Sequence, residues 1–237
     1  MRAALFLLLA AAAQAQPDLG PRTEPPLPDT TAARYGSSAA YVLGLTEYGF
    51  GAGGALRGRV SDDVSLTAEL TVGSARDERE QTFPDGVGGR LTQFKRNYVL
   101  LIPVLVGAEL RLFRTRVEDN FRPFVHAAAG PTLALQWPYF DDENGDGNRQ
   151  GREELLGPFE GLGDADDRWG VGATVAVGAY FGRSRSASTA LRFGVQAMHF
   201  PTPVDLLVVA EGVDDPSRRT FWTPTVSFHV VRLWGRD

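Results

Sequence analysis

The chain has 237 residues, no cysteine and a formal net charge of −5, which allows one domain with a full core but excludes a lipid-anchored lipoprotein and a disulfide-stapled scaffold. The acidity is local: residues 141–168 hold ten carboxylates against three arginines, a charge of −7 within the total of −5. The remainder is close to neutral, so a nucleic-acid partner is not expected.

Residues 1–15, MRAALFLLLAAAAQA, read as a secretory signal peptide. Arg2 supplies the basic start and Ala3 to Ala13 the apolar run. Ala13-Gln14-Ala15 is the small-x-small site, with cleavage expected before Gln16. The run is well short of the ~20 residues that a membrane-spanning helix needs. Residues 16–36 are rich in proline and polar side chains, and are expected to form a flexible periplasmic leader. Residues 37–237 remain for the folded domain.

From there, period-two alternation dominates. Val64, Leu66, Ala68, Leu70 and Val72 share one face, and Ser65, Thr67, Glu69, Thr71 and Gly73 the other. Val171, Ala173, Val175, Val177, Ala179 and Phe181 oppose Gly172, Thr174, Gly178 and Tyr180. Leu191, Phe193, Val195 and Ala197 oppose Arg192, Gly194, Gln196 and Met198. Val226, Phe228 and Val230 oppose Thr225, Ser227 and His229. This pattern specifies strands with one apolar face.

Eight strands are expected, near 39–48, 50–60, 64–76, 94–112, 121–137, 169–182, 188–200 and 221–234. The connections at 61–63, 114–120 and 182–188 are short. Those at 77–93, 138–168 and 201–220 are long and polar, and the first hairpin, near Tyr48-Gly49, is the exception. Short turns at one end, long loops at the other and an even strand count predict an all-β fold. It is an eight-stranded antiparallel up-and-down transmembrane β-barrel, with its turns on the periplasmic side.

A soluble sandwich would turn its polar face to water and charge it. Here the polar faces are rich in Gly, Ala, Ser and Thr, and Lys95 is the only lysine. Such faces suit the narrow interior of a small barrel. Tyr98, Trp137, Tyr139, Phe140, Trp169, Phe181, Phe200, Trp222 and Trp234 fall near strand ends, where an aromatic girdle is expected.

The stretch NYVLLIPVLVGAELRLF followed by FRPFVHAAAGPTLAL carries Ile102-Pro103, Pro123-Phe124-Val125 and Gly130-Pro131. In these features it resembles the outer-membrane β-barrel domain family of Gram-negative bacteria, a porin-like, OmpA-transmembrane-like group. The resemblance is concentrated over 97–135 and diffuse over 37–234. It implies the cell outer membrane as location, with outer-membrane lipids and the barrel assembly machinery as partners. Members usually end on an aromatic residue, whereas Trp234 is followed here by three more residues.

Chemistry is sparse. His126 is followed by three alanines, His199 by Phe-Pro, and His229 has Ser227 two residues back on the same face. Only the last pair has the makings of a nucleophile and base. The glycine-rich stretch 49–59 continues as a strand and opens no helix, so it is not a phosphate loop. No enzyme activity and no catalytic residue are expected. Arg57, Arg59, Glu69, Glu109, Arg111 and Arg192 fall on inward faces, where burial requires pairing. One lumen ion-pair network joining all six is expected.

Residues 142–153, DENGDGNRQGRE, match the calcium-loop pattern D-x-[DN]-x-[DN]-G-x5-E. Asp142, Asn144, Asp146, the Asn148 carbonyl and Glu153 would ligate one calcium ion, with Gln150 direct or through water and Gly147 making the turn. Pro138 before the loop and Gly157-Pro158 after it deny it the flanking helices of an EF-hand. A solitary outer-loop site is therefore expected. These features predict a structural or surface-interaction barrel that meets an extracellular ligand through its loops. The alternatives are a narrow channel for ions or small solutes and, third, a lipid-modifying enzyme using Ser227 and His229.

Overall fold

The computed structural model describes residues 37–77, 80–84, 90–93, 95–113, 116–117, 120–141, 155–182, 187–207 and 217–234. Its strands are β1 (Ser37–Thr46), β2 (Gly49–Arg59), β3 (Val64–Ala75), β4 (Gln81–Pro84) and β5 (Arg90–Gln93). They continue with β6 (Asn97–Arg111), β7 (Phe121–Pro138), β8 (Asp166–Phe181), β9 (Ala187–Val204) and β10 (Arg218–Trp234). Eight of them form a closed antiparallel barrel in the order β1-β10-β9-β8-β7-β6-β3-β2. Closure is made by β1 on β10, from Ser37↔Trp234 to Thr46↔Thr225. The eight strands are those expected from alternation.

Three differences have local causes. The connection after β3 holds a two-stranded hairpin, β4–β5, outside the barrel sheet. β6 starts at Asn97, because Lys95 instead bridges to Leu207. β9 runs past Pro201 to Val204. There it pairs with β10 alone, since its pairing with β8 stops at Val171↔His199. A proline is tolerated on such a one-sided edge because no ladder bond is lost.

The outer face of the barrel wall is largely apolar, and the strands' polar faces turn inward. Tyr41 is 78% exposed, Val175 65% and Val171 64%, whereas Glu109 is 7% and Arg192 9%. This is the reverse of a water-soluble core and specifies an apolar solvent around the barrel. Backbone donors and acceptors are consumed by the closed ladder, as a hydrocarbon surrounding demands.

β1 and β2 have 10 and 11 residues, close to the ~9–11 that cross a bilayer as tilted strands. β7 and β9 have 18 each, so the rim is low at the β1–β2 turn and high on the opposite side. That turn depends on Gly49, whose φ is +145° and whose added Cβ would lie 2.9 Å from Ser74 Oγ.

The aromatic girdle is only partly as expected. Trp169, Phe181 and Trp222 are exposed on the outer face. Phe200 is fully buried, because its parity on β9 turns it inward beside Met198. Trp137, Tyr139 and Phe140 are also buried. The segment after Leu155 covers the wall there: Tyr98 OH donates to Leu156 O at 3.1 Å and Trp137 Nε1 to Pro158 O at 3.1 Å.

Candidate functional site in the barrel lumen

The lumen is filled in layers. The outermost is apolar: Tyr48, Leu101, Phe200, Val204, Leu206 and Phe221 belong to one buried cluster. Phe221 takes Tyr48 and Phe200 edge-on, with ring centroids 5.3 and 5.8 Å away. Leu206 reaches this cluster because residues 205–207 cross the mouth as a strap. Arg96 N donates to Leu206 O at 3.0 Å, Asn97 Nδ2 to Asp205 O at 2.8 Å, and Asp205 N to Gln136 Oε1 at 3.1 Å.

Tyr48 compensates for the low rim. Its hydroxyl donates to Trp222 O at 3.1 Å and accepts from Trp222 N at 3.2 Å, standing in for the strand that β10 lacks there. Two ion pairs flank the cap, Arg218–Asp77 at 3.1 Å and Lys95–Glu80 at 3.7 Å. Lys95 also lies 4.5 Å from the centre of the Tyr98 ring. Burial lowers the pKa of its ammonium, and Glu80 opposes that shift.

Below the cap is a cavity of 80 Å³. Val42, Leu101, Leu105 and Met198 are among its apolar lining residues, and Glu69, Thr71, Arg192, Gln196, Thr225 and Ser227 among its polar ones. The central polar layer is built on Arg192. Its Nη2 donates to Glu69 Oε1 at 2.7 Å and Oε2 at 2.9 Å, and its Nε to Ser227 Oγ at 3.1 Å. Nη1 faces His126 Nδ1 at 3.4 Å.

These contacts fix the tautomer of His126. Arg192 can only donate, so His126 Nδ1 accepts and Nε2–H donates to Thr67 Oγ1 at 3.1 Å. Ser227 Oγ accepts from Arg192 Nε and lies 3.0 Å from His229 Nε2. The serine and histidine noted in the sequence thus meet. They are knitted into the packing around the buried guanidinium, and no described carboxylate hydrogen-bonds to His229 Nδ1. His199 points outward and meets Thr220 Oγ1 at 3.0 Å.

A second polar layer lies nearer the β2–β3 turn. Arg57 Nη1 donates to Glu109 Oε1 at 3.1 Å, Tyr180 OH to Glu109 Oε2 at 2.7 Å, and Arg57 Nε to Ser38 Oγ at 3.2 Å. Arg57 also stacks 4.8 Å from the Tyr180 ring centre. A smaller cavity of 30 Å³ lies beside it, lined in part by Arg59, Arg111 and Arg122.

The six inward charges are inside as expected, but they do not form one network. Among the described ion pairs, Arg192–Glu69 and Arg57–Glu109 lie in separate layers. Arg59 turns down to Asp62 and the Ser61 carbonyl in the β2–β3 turn. The long arginine side chain reaches the turn from the last residue of its strand. Sequence reading missed Tyr180, Ser38, Thr67 and His126 as partners. Their signal was available, since each alternates onto an inward face. The Leu206 strap had none, because it lies in a loop with no periodicity.

Asp142, Asn144, Asp146, Asn148 and Glu153 lie outside the described residues. Among the described residues no group of three or more His, Cys, Asp or Glu side chains is placed to hold a metal ion.

No protein-family model matches the chain, and no curated protein sequence matches it. Solved structures do align with it. Neisserial surface protein A is 11% identical, with a TM-score of 0.40 over 84% of this chain and 94% of that one. The outer membrane protein OprG from Pseudomonas aeruginosa is 9% identical, with a TM-score of 0.39 over 86% and 99%. The N-terminal β-barrel domain of Pseudomonas aeruginosa OprF is 10% identical, with a TM-score of 0.37 over 82% and 96%. Small outer-membrane barrels are what this chain is similar to.

Proposed function

We propose that this chain is an outer-membrane barrel with a plugged lumen, serving a structural or surface-interaction role through its long outer connections. One observation carries the reading. The membrane-facing side is apolar, while the inside is occupied by the Phe200–Leu206–Phe221 cap and two ion-paired layers. A lumen filled by paired side chains contributes rigidity and leaves the loops as the surface that meets partners.

The acidic connection after β7 extends this role. Asp142, Asn144, Asp146, Asn148 and Glu153 bind one calcium ion, which offsets carboxylate repulsion and fixes the loop as a docking surface. The support is the loop's spacing in the sequence.

Planar-bilayer recording of the purified, refolded barrel tests the plug. No steady unitary conductance is expected. Reproducible openings of one size would replace this reading with that of a narrow channel.

A further inference from the structure

The 80 Å³ cavity is held open by backbone. Gly44, Gly51 and Gly73 are direct cross-strand partners on β1, β2 and β3, and all three face inward along its wall. A Cβ added at Gly44 would meet nothing closer than Gly51 O at 3.9 Å. A side chain at Gly44 would have room and would fill the space, whereas one at Gly51 would crowd Val72 O at 3.3 Å. The base of the cavity is the Arg192–Glu69 pair with Ser227. At the other end it meets Thr46, Tyr48 and Phe50 at the low rim of the barrel.

We propose that this cavity is a binding pocket for a short, uncharged amphiphile bearing a hydroxyl or amide. Its apolar body lies among Val42, Leu101, Leu105 and Met198. Its polar head donates to the Glu69 carboxylate and exchanges hydrogen bonds with the hydroxyls around it.

Charge decides the class. Glu69 and Arg192 neutralise each other, and four of the five Arg192 N–H donors already have partners, so an added ionic head would be buried without a counter-charge. Glu69 receives only Arg192 among the described hydrogen bonds, so its oxygens keep acceptor capacity on the cavity side. Size decides the length. A dry cavity of ~150 Å³ holds benzene, so 80 Å³ suits a body of roughly three or four heavy atoms. So small a ligand binds weakly, with Kd on the order of 0.1–10 mM. The rim beside Tyr48 is the entry, because the wall is lowest there.

Met198 supplies the assay. The chain has two methionines, Met1 and Met198, and Met198 lines the cavity. Carbon-13 labelling of the methionine methyls therefore places one reporter in the lumen. The full barrel in detergent is titrated with 1-propanol and with propionamide, and separately with propionate and propylammonium. A saturable shift of the Met198 methyl is expected with the two uncharged probes and not with the charged ones. Gly44→Val should weaken it at least tenfold, and Gly44→Ala by less, in barrels that keep their folded gel mobility. A linear drift without saturation would overturn the proposal. So would an equal shift in both Gly44 variants, or tighter binding of a charged probe.

Discussion

Replacing Glu69 by Gln removes one charge from the middle of the lumen and little else. The two side chains of the Arg192–Glu69 pair are 10% and 11% exposed, so solvent screens the guanidinium poorly once its counter-charge is gone. Breaking a buried pair by neutralising one partner costs ~3–5 kcal/mol. The glutamine oxygen still accepts from Nη2, and Ser227 and His126 keep their contacts, which lowers the expected loss to ~2–3 kcal/mol. That corresponds to roughly 30- to 150-fold in the unfolding equilibrium.

Urea unfolding in lipid vesicles, followed by tryptophan fluorescence and by gel mobility, measures it. Asp166→Asn is the control: Asp166 pairs with Arg168 at 3.3 Å but is 67% exposed, and its loss should cost below ~1 kcal/mol. Arg192→Met on the Glu69→Gln background should recover part of the loss, because it removes the stranded charge. A Glu69→Gln effect no larger than that of Asp166→Asn, or strict additivity in the double variant, would refute a coupled buried pair.

Arginine at Leu66, Leu70 or Val175 should impair insertion by ~2–4 kcal/mol near the midplane, whereas Thr67→Ser on the opposite face should be mild; folding titrations into vesicles compare them. Tyr48→Phe strands both backbone groups of Trp222 and should cost ~1–3 kcal/mol, read as a lower urea midpoint with an unchanged slope. Calorimetry with calcium should show one site of Kd ~10⁻⁴–10⁻³ M, lost in Asp142→Ala and in Glu153→Ala while the barrel stays folded. Equal heat in those variants would remove the metal site.

What the sequence determined by itself was the wall. A strand places successive side chains on opposite faces, so Leu66, Leu70 and Val175 were assigned outward and Thr67, Glu69 and Arg192 inward from parity alone. Turn lengths then set the strand count, and neighbouring strands in an up-and-down barrel follow chain order. Phe200 was placed in the girdle from its position near a strand end, whereas its parity with Met198 turns it inward.

Tertiary structure alone decided what fills the wall. Arg192 meets Glu69 across 123 residues of sequence and Arg57 meets Glu109 across 52. Any inward charge can face any other until closure and register fix their heights, and here they fall into two layers. The strap at Leu206, the Tyr48 hydroxyl replacing a missing strand and the glycine-walled cavity carry no periodic signal. They arise where the closed ladder ends at unequal heights, and unpaired backbone and apolar side chains at the rim must find partners from loops or from across the lumen.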